Sequence, residues 1–128
     1  MRRRQTRRAT AEDRLAVAML LVKHGTYLDA RDSYDKTPLY LAVQNGRADV
    51  VHYLLKKGAN PNVRDEKWGK TPFHIAAYYG EITIAKLLIK YGANANARDA
   101  SGRTPLHIAV EERNTDVIKA LLRYGGTD

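Results

Sequence analysis

The chain has 128 residues, 44% of them hydrophobic, and no cysteine. That is enough for one compact domain, and it excludes a disulfide framework or a thiolate metal site. The formal net charge is +8, but Arg2, Arg3, Arg4, Arg7 and Arg8 supply much of it, so the rest of the chain is only mildly basic.

Residues 1–10 read as a basic, disordered tail. Clusters of this kind occur in localisation signals and in arms that bind nucleic acid or anionic membranes. The apolar run at 16–22 is far shorter than the roughly 20 residues a bilayer needs, so no transmembrane segment is expected. No small-residue cleavage site follows it, which argues against a signal peptide. Thr10-Ala11-Glu12-Asp13 reads as a capping box that starts a helix directly, with Val17, Ala18, Leu21 and Val22 as its apolar positions.

Beyond this helix the sequence repeats itself. Thr37-Pro38-Leu39-Tyr40, Thr71-Pro72-Phe73-His74 and Thr104-Pro105-Leu106-His107 are spaced 34 and 33 residues apart. Gly25, Gly58, Gly92 and Gly125 close apolar runs in the same phase, and Arg31-Asp32, Arg64-Asp65 and Arg98-Asp99 recur with them. Each Thr-Pro predicts a helix start, because threonine caps well and proline at the first helical position gives up an N–H that has no partner anyway. A short first helix follows in each unit, with apolar residues at Leu39, Ala42 and Val43, at Phe73, Ala76 and Ala77, and at Leu106, Ala109 and Val110. A second helix carries Val50, Val51, Leu54 and Leu55, then Ile84, Ala85, Leu88 and Ile89, then Val117, Ile118, Leu121 and Leu122. One such pair cannot hide its apolar faces alone, so the units must stack.

With these three in-phase signatures the chain resembles the ankyrin-repeat proteins over residues 15–126. The resemblance implies an all-α solenoid with short β-hairpin fingers: three repeats (32–64, 65–98, 99–128) after a partial repeat (11–31), together forming one domain over 11–128. Some positions depart from the pattern. The second finger has an extra residue within Glu66-Lys67-Trp68. Tyr40 replaces the signature histidine. Arg113 stands where Gly46 and Gly80 separate the helices of earlier repeats, so a shifted turn using Asn114 is expected. Both ends lack an obvious capping repeat, which raises a fragment of a larger chain, or a homo-oligomer joined through its ends, as further readings.

The resemblance also implies a non-catalytic protein–protein interaction module that binds through its concave face, the finger tips and first helices, in the cytoplasm. At those positions Tyr34, Trp68, Tyr78 and Tyr79 offer aromatic anchors that the core pattern does not demand. Lys36, Lys70 and Arg103 form a basic row without an obvious partner and complete the candidate site, which suits a partner protein with an acidic segment. Arg31, Arg64 and Arg98 form a second row, expected to pair with Asp32, Asp65 and Asp99 between fingers or to meet an acidic ligand. Those aspartates are also placed to accept turn N–H groups. His74 and His107 are expected to fix helix starts, since no serine or carboxylate stands at a relay offset. No metal, cofactor or small-molecule substrate is expected, and the chain is read as not an enzyme. The alternative function is electrostatic binding of nucleic acid or anionic membrane through the Arg-rich start, with a nuclear location.

Overall fold

The computed structural model describes residues 11–23 and 28–124. The expectations for the basic tail at 1–10, including the Thr10 cap, and for Gly25 and Gly125 lie outside these residues. Among them are α1 (Ala11–Lys23), α2 (Pro38–Gln44), α3 (Ala48–Lys56), α4 (Pro72–Tyr79), α5 (Ile82–Lys90), α6 (Pro105–Glu111) and α7 (Thr115–Arg123). Helices α2, α4 and α6 pack on one another as one row, α3, α5 and α7 as a second, and α1 packs on α2.

Each Thr-Pro does what its chemistry predicts. Thr37, Thr71 and Thr104 hold extended backbone and accept the N–H three residues on, with Pro38, Pro72 and Pro105 inside the helix start. In the last two, His74 and His107 return the bond, their Nδ1 atoms accepting the N–H of Thr71 and Thr104 at 3.1 and 3.0 Å. The core lies between the two rows: Leu39, Val43, Leu54, Phe73, Ala77, Ile84, Leu88 and Leu121 are fully buried. Complete burial of one such leucine stabilises by about 1.5–3 kcal/mol.

The stripe of α1 differs from the expected one. Leu15 is buried and Ala18, Met19 and Val22 pack beside it, whereas Val17 and Leu21 are exposed. No helix stands before α1 among the described residues to cover Leu21 as α2 and α4 cover their own partners. Val110 and Leu122 are also exposed, because the neighbour that covers Val43 and Leu55 has no counterpart beside α6 and α7 among the described residues.

The fingers are turns, and no strand is present among the described residues. Each finger is closed by two backbone bonds that share its aspartate: the Asp32, Asp65 and Asp99 N–H groups donate to the Lys36, Lys70 and Arg103 carbonyls at 2.9 Å, and their carbonyls accept from Asp35, Gly69 and Gly102. Both bonds lie within one turn, which is too short a ladder to make a strand. The turn at Arg113 is likewise not shifted: Arg113 itself adopts φ 58°, while Asn114 has φ −85°.

Candidate functional site

The three finger aspartates organise the site. Asp32 Oδ1 accepts the N–H groups of Tyr34 and Lys36, and Asp99 Oδ1 those of Ser101 and Arg103. Asp65 Oδ1 accepts the N–H of Trp68 at 2.6 Å. The extra residue of the second finger widens its loop, and the Trp68 carbonyl thereby accepts the N–H of Ala100 in the next finger at 2.9 Å. Trp68 is thus held by both its backbone groups while its ring remains 53% exposed.

The outer oxygens of these carboxylates face the preceding repeat. Lys36 Nζ lies 3.6 Å from Asp65 Oδ2, and Lys70 Nζ lies 3.6 Å from Asp99 Oδ2. Arg14 of α1 makes the equivalent pair with Asp32 at 2.8 Å. Arg103, with no further finger beyond it among the described residues, pairs with Glu111 on α6. The lysine–arginine row expected to stand without partners is therefore paired throughout. The other row is tied to backbone carbonyls. Arg31, Arg64 and Arg98 donate to carbonyls of their own turns, Asp35, Gly69 and Gly102, and Arg64 also donates to the Arg98 carbonyl. Arg31 pairs with Asp35 and leaves Asp32 to Arg14.

Burial opposes ionisation of Asp65, but the Trp68 N–H, the Tyr40 hydroxyl, Lys36 and the Lys70 N–H outweigh it and hold the carboxyl below the usual range. Asp99 behaves alike: burial opposes, and the N–H groups of Arg103 and Ser101 together with Lys70 prevail. Tyr40 is pushed far above the ordinary phenol range by burial, and then by the adjacent Asp65 charge. Its hydroxyl remains a donor, bonded to Asp65 Oδ2 at 3.0 Å. His74 does the corresponding work one repeat later. Its Nδ1 is committed as an acceptor, so Nε2 carries the hydrogen and donates to the Arg103 carbonyl at 2.8 Å. Burial pushes its pKa down, which keeps it neutral.

On the side of α2, α4 and α6 lies an open groove of about 360 Å³, lined by Lys36, Tyr40, Gln44, Trp68, Lys70, His74, Ile75, Tyr78, Tyr79, Arg103, Ile108, Glu111 and Glu112. Six of the seven sequence-predicted site residues line it: Lys36, Trp68, Lys70, Tyr78, Tyr79 and Arg103. The seventh, Tyr34, does not. Its ring lies beneath the Arg14 guanidinium, 4.1 Å from the ring centre, beside the α1 helix. Tyr78 and Tyr79 stand edge to face, centroids 4.9 Å apart at 87°, and are 50% and 54% exposed. Sequence reasoning missed Tyr40, Ile75 and Ile108 as lining residues. Ile75 and Ile108 follow the signature histidine directly, a register that the apolar stripe alone did not flag. No group of His, Asp or Glu among the described residues is placed to hold a metal ion. None of the described helices is long and apolar enough to cross a membrane.

The family model for ankyrin repeats, comprising three copies, matches residues 8–65 and 62–128. The chain is 35% identical over 60 residues to human Rabankyrin-5, covering 47% of this chain and 5% of that protein. It is 44% identical over 46 residues to protein fem-1 homolog A of Danio rerio, covering 36% of this chain and 8% of that one. It is 39% identical over 54 residues to alpha-latrotoxin-Lt1a of Latrodectus tredecimguttatus, 41% of this chain and 4% of the toxin. The chain thus spans a small part of each relative's length. With family matches over nearly its whole length and stacked helix pairs beneath each Thr-Pro signature, the chain belongs to the ankyrin-repeat family.

Proposed function

We propose that the chain binds a partner protein through the groove along α2, α4 and α6, with Trp68, Tyr78 and Tyr79 as anchors, and that it does no catalysis. Ankyrin repeats are generally protein-interaction modules, and proteins of this family are typically non-enzymatic. The observation that carries the choice of face is the trio of half-exposed rings gathered in one groove. Large, rigid aromatics left outside the core are favoured interface anchors, each worth on the order of 1–3 kcal/mol when truncated at the centre of an interface. Lys36, Lys70 and Arg103 lie in the same groove, and their role is to hold its wall through their own carboxylates.

The test is an affinity capture with the wild type and with a Trp68→Ala/Tyr78→Ala double variant. Proteins retained by the wild type are expected to be lost from the variant, while the unfolding free energy moves by no more than about 0.5 kcal/mol per site, as for ordinary surface positions. Equal capture by both chains would move binding to another face. A large fall in stability would make these rings part of the core.

A further inference from the structure

The partner's chemistry can be read from what the groove leaves unsatisfied; this step rests on the groove being the docking face. A lysine–arginine row seen in the sequence suits an acidic segment, but in the folded chain each cation already holds a carboxylate: Lys36 with Asp65, Lys70 with Asp99, Arg103 with Glu111. The side chains of Asp65 and Asp99 are 1% and 3% exposed, and both also accept turn N–H groups. At Lys36 and Lys70 an incoming carboxylate would compete with a buried, hydrogen-bonded one, and leaving that one unpaired is strongly unfavourable; the Arg103–Glu111 pair is exposed and contributes little either way.

What remains open is of the opposite kind. Glu112 lines the groove with an exposed carboxylate that makes no ion pair among the described residues, although Arg103, paired with Glu111, lies near enough to feel its charge. Gln44, also in the wall, has a buried Oε1 without a hydrogen-bond donor. The faces of Tyr78 and Tyr79 present negative ring potential to solvent. Trp68 already draws a cation, with Lys67 Nζ 5.1 Å from its ring centre. Ile75 and Ile108 supply the apolar part of the lining. These features favour a donor, a positive charge or an apolar group, while Lys36 and Lys70 are already held by buried carboxylates.

We propose that the groove takes a partner segment that carries an arginine or lysine between apolar residues, its cation set against the Tyr78/Tyr79 rings and Glu112. An acidic segment fits less well, because Lys36 and Lys70 are already committed to the buried carboxylates of Asp65 and Asp99.

The experiment selects binders of the full chain from a displayed library of random 12-residue peptides. Peptides that bind through the groove are identified by loss of binding to the Trp68→Ala/Tyr78→Ala variant. Among these, Arg and Lys should be enriched several-fold over Asp and Glu. Glu112→Gln should weaken the selected cationic peptides by about fivefold, the upper range for one exposed charge pair, with an unchanged unfolding midpoint. Groove-dependent peptides that are acidic or show no charge bias would overturn the cation assignment and leave the groove as the docking face. Affinity untouched by Glu112→Gln would remove Glu112 from the site and overturn the proposal as stated. If no selected peptide depends on Trp68 and Tyr78, the docking face itself is wrong.

Discussion

Tyr40 occupies the place that His74 and His107 hold in the later repeats, and the exchange trades one bond for another. Histidine closes a reciprocal cap with the preceding threonine. Tyr40 only donates its backbone N–H to Thr37 Oγ1, at 3.2 Å, and sends its hydroxyl to the next finger instead. A hydrogen bond to a charged group is worth about 1.5–3 kcal/mol, against about 1 kcal/mol for an ordinary one. Tyr40→Phe should therefore lower the unfolding free energy by about 1.5–3 kcal/mol in urea titration. A change below about 0.5 kcal/mol would show that water serves Asp65 equally well. The substitution was legible in the sequence, but its consequence was not. A tyrosine in a histidine's place says nothing of a carboxylate 25 residues away until the spacing of the repeats is known.

At the scale of the element, the turn between paired helices decides the residue at its corner. Gly46 and Gly80 both have φ 68°. A Cβ on either would lie 2.8 Å from a side-chain oxygen of the next repeat, Glu81 Oε2 or Asn114 Oδ1. Asn114 reaches that place because its Nδ2 donates to the Ala77 carbonyl at 2.6 Å. Arg113 adopts the same backbone with no such side chain from a following repeat among the described residues, so it meets only the intrinsic left-handed cost of roughly 1–2 kcal/mol. Arg113→Gly relieves that cost but loosens the unfolded chain by about 0.4–1 kcal/mol. The net expectation is a gain of about 0.5–1 kcal/mol in a urea titration, and a destabilised variant would place the strain elsewhere. The sequence marked this position as unusual but pointed to a moved turn, because propensity argues from the single residue. The stripe of α1 misled for a similar reason. Spacing aligned Val17 and Leu21 with Val50 and Leu54, yet which face a helix buries depends on whether a partner helix precedes it. The Thr-Pro starts, by contrast, were fully legible because everything that fixes them lies within four residues.

Across the described residues, the repeats are joined by apolar packing and by a chain of buried and half-buried polar ties: Arg14 to Asp32, Lys36 and Tyr40 to Asp65, Lys70 to Asp99, and His74 to the Arg103 carbonyl. The candidate groove was legible as a set of residues, because aromatics outside the apolar stripes stood out. Its electrostatics were not, because each lysine is answered by an aspartate of the next repeat rather than of its own. This arrangement sets the response to acid. Asp32, Asp65 and Asp99 all titrate below their ordinary value in the folded chain, so the unfolded chain binds more protons as pH falls past about 4. Their contribution is fully present above that pH and is lost as pH drops through the lower, folded values. His74, lowered by burial, acts with the same sign in a higher window, whole above about 6.5 and declining beneath it. Thermal midpoints should therefore hold steady from pH 8 to 7, slip modestly through the range where free histidine titrates, and fall steeply below about 4. Asp99→Asn keeps a turn acceptor but removes the charge facing Lys70. It should start from a lower plateau at neutral pH and show a shallower acid limb. A wild-type midpoint that persists to pH 3, or an acid limb unaltered in Asp99→Asn, would mean that packing alone joins the repeats.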